Sequence, residues 1–391
     1  MIRLLTFSTL FPNLQQPHHG VFVETRLKHL IASGKVSASV VAPVPWFPFN
    51  HPRFGSYSRY SAIPAEETRH GLRIRHPRYP VIPKFGMTIA PLLLAQAMKS
   101  VIGNLLDEND VDLIDAHYFY PDGVAAIKLG RYFNKPVVIT ARGTDINLIP
   151  QHTLPRKMIL WAAKNAAASI TVCEALKTEM VAIGAAAEEI NPIRNGVDLE
   201  LFQPIDREAQ RAALGIDQYT LLSVGLLQPR KAHDLIIGAL PMLPDVRLFI
   251  AGDGPEHDNL VALAAKIGVA DRVTFLGSVS QAGLRQYYGA ADAMVLASSR
   301  EGWANVLLES MACGTPVIAS NVWGTPEVVR GHAAGLLLKE RTAASIAEAV
   351  TALRANPPQR SATRLYAEQF SWAETTDKQI ALFNRVLEKR A

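Results

Sequence analysis

Short apolar, β-branched runs alternate along the whole chain with longer stretches of helical periodicity. In the first half the runs predict strands over 2–8 (IRLLTFS), 37–42, 111–116, 136–140, 169–172 and 191–194. In the second half they predict strands over 219–225 (YTLLSVG), 246–251 (VRLFIA), 273–277, 293–297 and 316–319. Strands this continuously apolar are buried on both faces, the condition of a parallel sheet covered by helices. The alternation runs through the chain twice. The expected class is α/β, with two doubly wound domains that bind ligands at the carboxyl ends of their strands. The seam is expected at 194–215, where Asn195-Gly196 signals a turn and a polar helix follows. No long flexible linker separates the halves, so the domains are expected to face each other across a cleft.

Composition removes several function classes. The 391 residues suit two domains. Cys173 and Cys313 are the two cysteines, and no HExxH or Cys/His cluster accompanies them, so no metal site is expected and a reducing cytosol is. The opening MIRLLTFSTLFP is broken by Thr6, Ser8 and Thr9 and reads as a strand, not a leader. No apolar run approaches the roughly 18 residues of a membrane helix. The net charge of +5 is uneven: residues 51–84 hold six arginines and Lys84 against Glu66 and Glu67. That stretch reads as a solvated loop, or as a surface that meets anionic lipid headgroups at the inner face of a membrane. Arg73, Arg75 and Arg78 would supply charge, and Phe54, Tyr57, Tyr60 and Tyr79 would sit at headgroup level. The following FGMTIAPLLLAQAMKSVIG is an apolar helical stripe, either core-facing or interfacial. No nucleic-acid motif accompanies the arginines.

The densest chemistry lies in SSREGWANVLLESMACGTPVIAS. A helix is expected from about Ala304 to Cys313, stopped by Gly314 and Pro316. Its N-terminal amides, from Gly302 through Trp303, Ala304 and Asn305 to Val306, would form an anion site, with Trp303 exposed beside it. Glu301 precedes the helix, and Glu309 lies about one turn, on the order of 6 Å, beyond Asn305. Carboxylates accept several hydroxyl hydrogen bonds at once. A phosphate between two hydroxyl-rich groups fits, and that is a nucleotide sugar. The plain alternative is a helix-start acid and a solvated helical glutamate. Other strand-end loops share this chemistry. Residues 223–234 carry Gly225, Arg230 and Lys231; residues 249–260 carry Gly252 and Gly254; residues 322–329 carry Gly324 and Thr325. No strand–GxGxxG–helix with a downstream acid opens either half, which disfavours a dehydrogenase.

With EGWANVLLE matching an E-x7-E motif, and RNGVDLELF, AGDGP, VTFLG and GTPVIAS in order, nearly the whole chain resembles the GT-B-fold, family 4 (group 1) retaining glycosyltransferases. The resemblance implies two Rossmann-like domains: 1–195 for the acceptor, and 196–372 for the nucleotide sugar. A C-terminal helix of about 373–391 would return to the first. It implies that Glu301 meets donor-sugar hydroxyls and Glu309 the ribose. Amides at 302–305 would hold sugar and diphosphate, Gly277–Val279 would border the base, and Gly20 would lie beside the diphosphate. It implies retention without a metal or cofactor, a donor that is a UDP-sugar, and a glycan or lipid-linked acceptor in polysaccharide or glycolipid synthesis. Arg230 and Lys231 would stabilise the leaving diphosphate, and the strand-end His117 would serve the donor sugar or acceptor. The chain departs from the family at Leu226 and Ala232, where Arg and Gly are usual, and at Arg142, where a histidine is usual. A nucleotide-sugar epimerase of similar build and a non-catalytic nucleotide-sugar-binding subunit are the competing readings.

Overall fold

The computed structural model describes residues 1–391 except 48, 50, 52, 54, 55, 83–85 and 391, and the side chains of 56 and 57. The chain divides into two compact units: Met1–Asn195 with Ala373–Ala391, and Gly196–Trp372. Among the described residues no helix is long and apolar enough to cross a membrane.

The first unit contains strands β1 (Ile2–Phe7), β2 (Val36–Val41), β3 (Val44–Trp46), β4 (Glu66–Arg69), β5 (Leu72–Arg75), β6 (Arg78–Pro80), β7 (Leu113–His117), β8 (Val137–Ala141), β9 (Ala168–Thr171) and β10 (Ile190–Pro192). Eight form one sheet in the order β10-β9-β8-β7-β1-β2-β5-β4, parallel except for the antiparallel β4–β5 pair. The second unit contains β11 (Tyr219–Val224), β12 (Val246–Ala251), β13 (Val273–Gly277), β14 (Ala293–Leu296), β15 (Val317–Ser320) and β16 (Gly335–Leu338). They form a parallel sheet in the order β13-β12-β11-β14-β15-β16. The eleven strands read from apolar runs are all present, with ends moved by a residue or two.

Each core follows from those runs. In the first unit Leu4, Leu30, Leu113, Val138 and Ile170 pack with Ile380, Phe383 and Val386 from the helix Trp372–Glu388. In the second, Leu221, Leu248, Ile250, Val295 and Ile318 pack with Ile236, Ile346 and Val350.

The basic stretch 51–84 is not simply a loop. It holds a helix over Ser56–Ser61, the β4–β5 hairpin, and β6, which pairs with β3 as a separate two-stranded ribbon. The hairpin turns at His70-Gly71, both at positive φ (49° and 77°), the backbone that a tight two-residue turn demands. The helix Ala90–Glu108 buries Leu94, Met98, Ile102 and Leu105, so its apolar stripe is core-facing.

Candidate functional site

In the second unit the strand order reverses between β11 and β14, the place where open α/β sheets take ligands. The loops that follow these two strands carry the predicted charges. Lys231 ends the turn Pro229–Lys231 after β11, and Glu301 lies in the loop after β14. The Lys231 Nζ donates to Glu301 Oε1 at 2.5 Å, and Arg230 Nη1 stands 3.9 Å from the same oxygen. The side chains of Lys231 and Glu301 keep 11% and 10% of their exposure. Burial pushes the Glu301 carboxyl up, but Lys231, Ser298 and Arg230 together outweigh it, and the group is held below the usual carboxylate range. The loops are tied by backbone too: the Ser299 amide donates to the Arg230 carbonyl at 2.8 Å.

Gly252 and Gly254 lie against this first loop. A Cβ on Gly252 would come within 1.9 Å of the Gly225 carbonyl oxygen, and one on Gly254 within 2.5 Å of the Leu227 carbonyl oxygen. The glycines therefore let two strand-end loops interlock, a reason independent of any ligand. Leu226, between those contacts, is 54% exposed. Ala232 takes φ 51°, ψ 45°, a left-handed backbone that explains why glycine is usual there. His233, which sequence reasoning passed over, is buried beside Lys231. Its Nδ1 lies 3.1 Å from Ser223 Oγ, and burial, then the Lys231 charge, lowers it to about 4.

The helix after β14 runs Asn305–Ala312. Gly302, Asn305 and Val306 are half-buried, while Ala304 is buried. The Asn305 amide is not left outward-facing: it donates to the Trp303 carbonyl at 3.1 Å. Trp303 is not exposed either. It is 7% accessible because its indole packs on Phe370, centroids 6.1 Å apart. Glu309 is 8% exposed. It accepts a hydrogen bond from Tyr288 Oη at 3.0 Å, and burial raises it to about 7 against the pull of Tyr288 and Gln281. Val279 is half-buried in the turn ahead of the helix Gln281–Ala290, which Ser280 caps.

In the first unit the order reverses between β1 and β7. Gly20 opens the helix Val21–Ala32 after β1, at φ 71° and hard against Leu10. Asp115 and His117 alternate on β7, Arg142 follows β8, and Arg26 reaches in from Val21–Ala32. Arg142 Nη2 lies 2.6 Å from His117 Nδ1, and His117 Nε2 lies 3.2 Å from Asp115 Oδ2. A guanidinium can only donate, so Nδ1 accepts and Nε2 carries the proton. Burial lowers His117 to about 4, which agrees with a neutral ring. Arg26 donates to Gln379 at 2.5 Å and to Asn195 at 3.2 Å, and burial lowers it to about 10. Arg142 is lowered to about 9 by burial and by Arg26. A buried neutral imidazole with both nitrogens engaged is placed to orient Arg142, not to exchange a proton. Neither Arg26 nor Asp115 was singled out in the sequence, although the alternation Asp-Ala-His at a strand end was visible.

The arginines expected to face lipid are occupied. Arg69 pairs with Glu24 at 2.8 Å, Arg73 with Glu66, and Arg75 with Glu108, while Arg78 donates to the Tyr60 and Ile63 carbonyls. Tyr79 is buried, Tyr60 is half-buried, and the Phe54 and Tyr57 side chains lie outside the described residues.

A family model described as Glycosyltransferase Family 4 matches residues 40–201, and one described as Glycosyl transferases group 1 matches residues 206–370. The D-inositol 3-phosphate glycosyltransferase of Mycobacterium leprae is 39% identical over 213 residues, covering 51% of this chain and 50% of that protein. The chain thus spans about half the length of the curated relatives it matches. A sucrose-phosphate synthase from Thermosynechococcus elongatus has a TM-score of 0.83 at 20% identity over all of both chains. Anabaena HepE in complex with UDP and glucose has a TM-score of 0.74 at 22% identity, covering 97% of this chain and 98% of that one. The two structures share the fold, and the two matched segments together take in most of the sequence: the chain belongs to the group 1, family 4 glycosyltransferases.

Proposed function

We propose that the protein moves a sugar from a UDP-sugar to a hydroxyl of a glycan or lipid-linked acceptor, with retention of anomeric configuration and without a metal. The observation that carries this is the meeting of Lys231, Arg230 and Glu301 where the second sheet reverses order. Lys231 and Arg230 stabilise charge that grows on the leaving diphosphate, the large electrostatic contribution in such transfers. Glu301 accepts hydrogen bonds from the sugar, Glu309 from the ribose, and within 302–306 the backbone other than the engaged Asn305 amide serves the diphosphate. Gly225, Gly252 and Gly254 shape the loops around it, Val279 borders the base, and Gly20 stands at the edge of the first unit. That unit carries the acceptor, with Arg142 held in place by His117. A UDP-bound protein among the structural relatives supports the choice of nucleotide.

The test is calorimetry of the full chain against UDP-, GDP- and ADP-sugars, followed by product analysis with candidate acceptors. UDP-sugar binding and an α-to-α product are expected. Release of an altered free sugar without acceptor would move the protein to the epimerases; binding without turnover would make it a nucleotide-sugar-binding subunit.

We further propose that the first unit rests on the cytoplasmic face of an anionic membrane, an apolar edge supplying the anchor and the excess of basic over acidic residues the preference for anionic lipid. Trp46, Phe49, Ile82, Met87, Ile89 and Leu92 are all exposed around the β3–β6 ribbon and the start of the helix Ala90–Glu108. From 44 to 106 the only acids are Glu66 and Glu67, and these are paired with Arg73 and His76. Vesicle co-sedimentation should show anionic lipid favoured and binding lost in Met87→Ser/Leu92→Ser. Binding indifferent to that change would overturn the reading.

A further inference from the structure

Glu309 raises a question that its expected role does not answer. A carboxylate at the ribose end of a nucleotide site has to be aimed, yet Glu309 sits mid-helix with little room. The partners that hold it come from a different helix. Tyr288 lies on Gln281–Ala290 and donates to the Glu309 carboxyl at 3.0 Å, and Gln281, seven residues and two turns earlier on the same face, favours its ionised form. Tyr288 is fully buried and its ring meets Phe202 edge-on, centroids 6.0 Å apart.

The end of that helix is itself locked. Thr315 Oγ1 donates to the Tyr288 carbonyl at 2.5 Å. Arg360 donates to Thr315 Oγ1 at 2.6 Å and to the Gly289 carbonyl at 2.7 Å. Thr315 stands three residues past the end of the Asn305–Ala312 helix, so Arg360 and Thr315 hold together the helix that aims and the helix that is aimed.

A bland account would make Glu309 merely the partner a buried phenol needs. The energetics run against it. A hydroxyl or amide would satisfy the phenol without the much larger cost of burying a carboxylate. A carboxylate kept there at that cost points to an outward task for the group and an inward task for its holders.

We propose that Tyr288 is a positioning residue for donor binding: with Gln281, it fixes the Glu309 carboxylate in the orientation that meets the ribose hydroxyls. This rests on the reading of Glu309 as the ribose contact. Because the phenol favours the ionised carboxylate, its loss also moves the pH at which that carboxylate becomes a good acceptor.

The experiment titrates the full chain with UDP and, separately, with pyrophosphate, which has no ribose, from pH 6 to 8.5. It compares wild type, Tyr288→Phe, Gln281→Met and Glu309→Gln, with melting temperature as a check on folding. Tyr288→Phe should weaken UDP about tenfold at pH 7, the scale of one hydrogen bond to a charged group. Pyrophosphate should stay within about twofold, and the pH midpoint of UDP affinity should rise. Gln281→Met should act the same way but less. If Tyr288→Phe does not fold, the half-buried Gln281→Met decides. UDP affinity kept in both variants but lost in Glu309→Gln overturns the positioning role alone. UDP affinity kept in Glu309→Gln overturns the ribose reading beneath it. Equal loss of UDP and pyrophosphate in Tyr288→Phe reduces Tyr288 to core packing.

Discussion

In the second unit Lys231 and Glu301 meet where the sheet reverses, each with about a tenth of its side chain still open to water. In the first unit Arg26, Asp115 and His117 meet where that sheet reverses, and each is sealed to about 1%. The two clusters occupy equivalent places in similar folds and use similar residues. What differs is the access of water. An ion pair that water can still reach can be exchanged for a pair with a ligand at modest cost. A cluster that water cannot reach holds its shape, because removing a charged member leaves buried charge uncompensated. The second cluster is suited to binding and release, and the first to keeping Arg142 rigid.

The largest effect that tests this contrast is on stability. Asp115→Ala should cost about 3–5 kcal/mol, the usual result of leaving buried charge uncompensated, here that of Arg26 and Arg142, which Asp115 offsets, read from urea unfolding. UDP affinity of the folded protein should stay within about twofold. An unchanged unfolding midpoint would mean the first cluster is as exchangeable as the second. Next comes Lys231→Ala, which should lower turnover by about 10²–10³, or ~2.7–4 kcal/mol of transition-state stabilisation, while destabilising the fold less than Asp115→Ala does. Turnover within twofold of wild type would remove Lys231 from the leaving-group role.

Glu309 lies between the two kinds of site, and its pH linkage sharpens the comparison. Its carboxyl is raised from 4.5 to about 7 by burial. Below pH 4.5 it is protonated in folded and unfolded chains alike and costs nothing. Between 4.5 and 7 the unfolded chain releases the proton and the folded chain keeps it. Stability therefore falls as pH rises through that window, and the loss is complete above 7. Glu309→Gln lacks this loss, so at pH 8 it should be more stable than wild type, on the order of 1–3 kcal/mol, with no gain at pH 4.5. Parallel melting curves at the two pH values decide it. The smallest effect is at Ala232. Glycine there relieves a left-handed alanine and should add about 1 kcal/mol, seen as a melting temperature about 2–4 °C higher. An unchanged or lower value would show that the turn carries no strain.

Most sheet strands were legible because burial on both faces leaves a continuous apolar run, which needs no partner to be recognised, although β16, GLLL, is equally apolar and was missed. Strands β4 and β5 were not: EETR, at the sheet's edge, is polar throughout, LRIR beside it alternates apolar and polar residues, and their arginines masked the pairing. Trp303 was misplaced for a different reason. Residues before a helix start are usually accessible, and the cover comes from Phe370, far along the chain. The charges of the second unit were legible because loop, spacing and helix start lie within a few residues of one another. Tyr288 was not, since it bears on Glu309 from another helix, and no local pattern encodes that meeting.

The interlock of Gly225 with Gly252 and of Leu227 with Gly254 has a consequence for how such a protein can diverge. These contacts leave no room for a single added carbon, so the two loops inherit their shape together or not at all. Variation is channelled to side chains that project between the fixed points, and Leu226, 54% exposed, is one of them. A lineage acquiring a new donor preference, or an engineer seeking one, has that position free to change while the frame around it stays put.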